Sequence, residues 1–101
     1  MASFKIITDK KRHLVTLPYT RENLMSAARK LGIKEVWFHG GKNPHFDIPK
    51  RMHLDGSVYK LVDKMTTTRN ILLITIGEIK TFEELEQIEE RWNTGKEKNR
   101  I

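Results

Sequence analysis

The chain has 101 residues, 38% hydrophobic and 32% charged, with no cysteine and a formal net charge of +6. That length suits one domain and not two. The absence of cysteine excludes disulfides and thiolate metal sites, and no run reaches the roughly 18 apolar residues of a membrane span. The charge is unevenly spread. Residues 1–77 carry 14 Lys/Arg against 6 Asp/Glu, a net of +8. Residues 78–90 carry one Lys against six Glu, and residues 91–101 return to +3. A basic surface raises the local concentration of phosphates and nucleic acid, although solubility alone accounts for many surface lysines. Residues 1–9 lack an apolar core of signal-peptide length, so a cytoplasmic location and no membrane association are expected.

In chain order, residues 4–8 read as a short strand, Asp9 to Arg12 as a charged turn, and residues 13–17 as a second strand stopped by Pro18. Thr20 is placed to cap a helix whose apolar face is Leu24, Ala27, Ala28 and Leu31, with Gly32 at its end. Residues 33–38 read as a third strand ending in Trp37 and Phe38. The Gly/Asn/Pro-rich segment 39–49 reads as a loop. Val58, Leu61, Val62 and Met65 predict a second helix over 57–66. The apolar run 71–76 has the length and composition of a central strand covered on both faces, and Gly77 ends it. Thr81 and Glu84 form a capping box for a third helix, with Phe82, Leu85, Ile88 and Trp92 along one stripe and Gly95 at its end. This order predicts an α/β sandwich: one domain over 1–95, a largely parallel sheet of three to four strands, three main helices, and a polar tail at 96–101. Ligands of open α/β sheets sit beyond the carboxyl ends of the strands, which is where the 39–51 segment leaves the third strand.

That segment carries the densest chemistry. His45 and Asp47 lie two apart, so in extended chain both side chains share a side. A carboxylate beside an imidazole fixes its tautomer and raises its basicity, which suits proton transfer. The same pair can supply two ligands to a divalent ion with His39 or His13 as a third. No tight ligand spacing such as HExxH accompanies it, so no metal and no cofactor is expected. The plainer alternative is a turn cap at Asp47 and a backbone-bonded His45. Pro49 suits the first position of a helical turn, which would place Lys50 and Arg51 near N–H donors that can cradle phosphate. Lys42 behind two glycines adds a further cation, though the segment is no Walker A loop. Trp37 offers a ring for stacking on a base, and Arg12 extends the basic turn toward His13.

His13-Leu14-Val15, Leu24, Ala27-Ala28, Leu31-Gly32-Ile33, Trp37-Phe38, His45-Phe46-Asp47-Ile48 and Arg51 follow one another in an order that resembles the bacterial and phage family catalogued as domain of unknown function 4031. The resemblance covers roughly residues 4–52. Phe46 stands where that family usually has tyrosine, and the likeness weakens after Met52. It implies that His13, His45, Asp47 and Arg51 belong to one site and that the chain is a phage or mobile-element accessory protein. It implies no reaction.

Three functions are therefore expected to compete. The first is binding of an anionic ligand, a nucleic acid or nucleotide, through Arg12, Trp37, His39, Lys42, Lys50 and Arg51. The second is an enzyme acting on a phosphoester or nucleotide, with His45 or His13 as general acid/base, Asp47 as its orienting partner and Arg51 stabilising developing negative charge. The third is a protein-binding or dimerising module that uses Glu78, Glu83, Glu86 and Glu90.

Overall fold

The computed structural model describes residues 3–98, and side chains as far as Arg91. β1 (Lys5–Thr8) and β2 (His13–Leu17) pair antiparallel across the charged turn, as the two short apolar runs predict. Asp9 closes that turn. Its Oδ1 accepts the N–H groups of Lys11 and His13, both at 2.9 Å, the local bond that makes Asp a turn residue. Arg12 follows with a left-handed φ of 72°, which costs a non-glycine residue roughly 1–2 kcal/mol. Two bonds to Ile48 hold it there: Ile48 N–H donates to the Arg12 carbonyl at 2.8 Å, and the Arg12 guanidinium donates to the Ile48 carbonyl at 3.3 Å.

α1 (Arg21–Leu31) matches its sequence signals. The Thr20 hydroxyl accepts the Asn23 N–H at 3.0 Å, Gly32 closes the helix at a φ of 78°, and Leu24, Ala27, Ala28 and Leu31 are buried.

Beyond Gly32 the structure departs from the expected order. Of residues 33–38 only Phe38 lies in a strand. A 3-10 turn, Glu35–Trp37, leads into a two-residue β3 (Phe38–His39). Val36 and Trp37 are both exposed, so the alternation that a half-buried strand needs is missing. The expected loop contains β4 (His45–Asp47). The expected helix over 57–66 is replaced by α2 (Lys50–Asp55), a 3-10 turn (Ser57–Leu61) and β5 (Lys64–Met65). Gly56, at a φ of 80°, ends α2 immediately before the position where that helix would have begun, and of the apolar stripe only Val58 is buried.

The run expected as a central strand is a helix, α3 (Thr68–Thr75). A short continuous apolar run cannot separate strand from buried helix by itself. The Thr67 hydroxyl decides it by accepting the Asn70 N–H at 3.1 Å, an N-cap. Ile71 and Ile74 are buried on one face while Leu72 stays 48% exposed. α4 (Phe82–Lys98) starts at the capping box: the Thr81 hydroxyl accepts the Glu84 N–H at 3.1 Å. The helix runs through Gly95 to Lys98, past the end read from sequence. The Trp92 side chain and residues 99–101 lie outside the described part.

The sheet has five strands in the order β3-β4-β2-β1-β5. Only β1 and β5 pair parallel; β1–β2, β2–β4 and β3–β4 are antiparallel. The expectation of a largely parallel sheet fails because tight turns join β1 to β2 and β3 to β4, and such turns can only reverse a strand. The rule that sites sit beyond parallel carboxyl ends therefore has no purchase. Ile6 and Ile7, and likewise Leu14 and Val15, are consecutive and fully buried. Neighbours on a strand face opposite ways, so both faces are covered there. α1 and α3 both pack against β2. No described helix is long and apolar enough to cross a membrane.

Candidate functional site

The register of β2, β4 and β3 assembles one cluster. His13 sits opposite Asp47, and Leu14 opposite Phe46. Phe38 sits opposite Phe46, and His39 opposite His45. Side chains alternate along a strand, so His13, Asp47, His45 and His39 share one face. Leu14, Phe46 and Phe38 share the other. The second set joins the core: Leu14 and Phe46 are fully buried, and the Phe38 and Phe46 rings lie 5.1 Å apart. A slip of one residue would exchange the two sets, so the buried phenylalanine of β4 holds the polar face in place.

On that face the groups are close. The His13 and His45 rings meet edge to face with centroids 5.2 Å apart. The His39 and His45 rings stack at 5.0 Å, 11° from parallel. His39 Nε2 lies 2.8 Å from Asp47 Oδ2, and His45 Nε2 lies 3.3 Å from Asp47 Oδ1. Exposure grades outward, with side chains 22% accessible at His45, 32% at Asp47 and 54% at His39. Solvent reaches the cluster, yet each ring is held.

Asp9 stands behind His13 and is fully buried. Its Oδ2 is 2.7 Å from His13 Nδ1 and accepts the Thr68 hydroxyl at 2.8 Å. Burial pushes the Asp9 carboxyl up, but the hydrogen bonds from the His13 ring, the His13 backbone and Thr68, together with the His13 charge, outweigh it and leave the group below its ordinary 3.8. Asp9 is therefore ionised at neutral pH. A carboxylate only accepts, so His13 Nδ1 carries the proton and Nε2 is left toward the cluster. His45 is fixed the same way: its Nδ1 lies 2.7 Å from the Asn43 carbonyl, which also only accepts. Asn43 is tied in turn, its side-chain amide donating to the Thr75 hydroxyl at 2.9 Å. The Tyr19 hydroxyl donates to the neighbouring Pro44 carbonyl at 2.6 Å, and burial holds that phenol above its ordinary 10.0.

α3 thus braces the site at both ends, through Thr68 to Asp9 and through Thr75 to Asn43. Asp9, Thr68 and Asn43 were missed from sequence. Asp9 left a signal: an Asp four residues before a histidine, at the mouth of a hairpin, is placed to bond both the turn and the ring. Thr68 and Asn43 left none, because both act through a helix that reads as a strand.

The expected cations do not join the imidazoles. Lys42 and Lys50 are exposed. Arg51 lines an open groove of about 570 Å³ with Leu31, Met52, Val58 and Leu61. Trp37 stands on the 3-10 turn, 38% exposed. Among the described residues no hydrogen bond or ion pair links Lys42, Lys50 or Arg51 to the cluster. Arg12 alone is fixed beside it, one residue before His13. Tyr59 approaches the Arg12 and Asp9 charges from the second 3-10 turn and lies 2.6 Å from His53 Nδ1 through its hydroxyl. His53 makes its bond to that tyrosine and takes no part in the cluster. Comparison with family models, with curated proteins and with solved structures finds no match for this chain.

Proposed function

We propose that the protein binds an anionic ligand, the phosphate of a nucleotide or nucleic acid, at the face formed by His13, His39, His45 and Asp47. The convergence of three imidazoles on one solvent-reached face of a strongly basic chain carries this reading. With Nδ1 of His13 and His45 engaged, these rings meet a phosphate through Nε2 when that nitrogen carries a proton, and Arg12 adds a fixed cation at the rim. Lys42, Lys50 and the basic turn at Lys10 and Lys11 supply the wider field that draws an anion in. The resemblance to domain of unknown function 4031, with its suggestion of a phage accessory role, agrees with grouping His13, His45 and Asp47. Arg51, which the resemblance groups with them, lines the separate groove instead. The test is fluorescence anisotropy with a labelled single-stranded oligonucleotide across a salt series. Binding through three phosphates weakens about 20-fold between about 50 and 200 mM salt. Affinity indifferent to salt, or unchanged in His45→Ala, contradicts the reading.

The buried Asp9 behind His13 favours a second reading, an enzyme acting on a phosphoester. A carboxylate that holds the tautomer of an imidazole prepares it to take and return a proton. Turnover of a phosphodiester that falls at least 100-fold in His13→Ala and His45→Ala, with ligand affinity within a few fold of wild type, supports it. Turnover that survives both substitutions removes it.

A further inference from the structure

We infer that His13, His45 and Asp47 form a site for a divalent first-row transition ion, with at least one coordination position open to a ligand. The inference goes beyond the phosphate reading and does not depend on it.

One donor atom from each of the three residues lies within 4.8 Å of the other two. A tetrahedral ion with bonds of about 2.1 Å holds its donors about 3.4 Å apart. His45 Nε2 and Asp47 Oδ1 already stand at 3.3 Å, so small ring rotations complete the set.

The outer partners carry the argument further. A metal-binding histidine donates its other ring N–H to a carboxylate or a backbone carbonyl, which orients the ring and raises its basicity. Both histidines here are held in that way. His13 Nδ1 meets the Asp9 carboxylate and His45 Nδ1 meets the Asn43 carbonyl, each at 2.7 Å. Asp47 has its own support, its second oxygen lying 2.8 Å from His39 Nε2. Two imidazole nitrogens and one carboxylate oxygen are therefore aimed inward, and each is steadied from behind.

The contact between His45 and Asp47 is shaped for a cation. With Nδ1 engaged by the Asn43 carbonyl, His45 turns Nε2 toward a carboxylate oxygen 3.3 Å away, the spacing of two donors on one ion. A metal ion satisfies His45, Asp47 and His13 together. Two nitrogens and one oxygen suit zinc, iron(II), cobalt or manganese better than magnesium, which prefers oxygen. Three protein ligands leave an open position, the mark of a site that engages a ligand rather than one that only braces a fold. An ion there also offsets the charge of Asp47, which otherwise repels phosphate.

The test is calorimetric titration of the metal-free protein with Zn²⁺, paired with imidazole-ring ¹⁵N NMR of the wild type. One equivalent of Zn²⁺ is expected to bind and to shift the Nε2 signals of His13 and His45 while His53 stays unmoved. Affinity is expected to fall at least 10-fold in His45→Gln and in Asp47→Asn, and 10- to 100-fold in Asp9→Asn, which touches no metal. His53→Ala is expected to bind as wild type does. Absence of binding below millimolar Zn²⁺, or equal shifts at all four histidines, overturns the inference. The wild-type spectra decide the matter even if a variant fails to fold. Zn²⁺ binding without phosphate affinity leaves this inference standing and removes the phosphate reading; phosphate affinity in a protein that holds no metal does the reverse.

Discussion

Asp9 is the residue on which turn and site both depend. One oxygen closes the β1–β2 turn through two backbone amides, and the other holds His13 and Thr68. Hydrogen bonds to a charged group contribute about 1.5–3 kcal/mol each, and a buried group left unpaired costs more. Asp9→Ala is therefore expected to lower the unfolding free energy by about 3 kcal/mol in urea titration. Thr68→Val, which removes one of the four bonds, is expected to cost about 1.5 kcal/mol. Equal stability of Asp9→Ala and wild type would show that the carboxylate does not hold the turn. The pairing of His45 with Asp47 was legible in the sequence because an i, i+2 pair in extended chain has a determined sidedness; that His13 meets them follows from the β2–β4 register, which residue spacing does not report. The cations were not. Lys42, Lys50 and Arg51 are near the histidines in sequence, but α2 and the 39–44 segment carry them elsewhere, and charge alone has no period that reports direction.

At the scale of elements, the first third of the chain was readable and the middle was not. β1, β2 and α1 each have matching periodicity, caps and turn residues, so every local preference agrees with the fold. The 71–76 run satisfies strand composition and helix burial equally well, and a single hydroxyl at Thr67 tips the balance. The misreading matters because α3 is the brace. Its ends, about 10 Å apart along the axis, reach Asp9 and Asn43. Helical burial makes a distinction that a strand would not. Ile74→Ala is expected to cost 2–5 kcal/mol, whereas Leu72→Ala, two positions away on the exposed face, is expected to stay within about 0.5 kcal/mol. Similar losses at both positions, measured by thermal or urea unfolding, would mean that the segment is buried on both sides. Thr75→Val removes the tie to Asn43 and is expected to loosen the 39–45 segment, seen as faster amide exchange there with unchanged exchange in β1.

For the whole molecule, the decisive feature is that an antiparallel register can build a site that no linear motif spells out. β2 contributes one histidine, β3 a second, and β4 a third with its aspartate, and Phe46 locks their shared orientation into the core. The acidic stretch is partly spent inside the fold. Lys64 Nζ lies 2.7 Å from Glu89 and 3.9 Å from Glu86, and Thr66 donates to Glu89 at 2.9 Å, so α4 is fastened to the β5 edge. The four glutamates proposed for a partner surface, Glu78, Glu83, Glu86 and Glu90, are all exposed; Glu86 lies beside Lys64, so Glu78 and Glu83 are the two to reverse. Charge reversal at those two positions is expected to leave oligonucleotide affinity at about 150 mM salt within a few fold of wild type, since they bear on the general field rather than on the cluster.

The most direct measurement follows the imidazole rings of the wild-type protein by NMR while a nucleoside monophosphate is titrated at low salt, with and without one equivalent of Zn²⁺. The rings of His13, His39 and His45 are expected to respond together, with one shared affinity, while His53 stays silent. Saturable binding that leaves those three rings unmoved and shifts only the signals of Lys10, Lys11 or α4 would contradict the account.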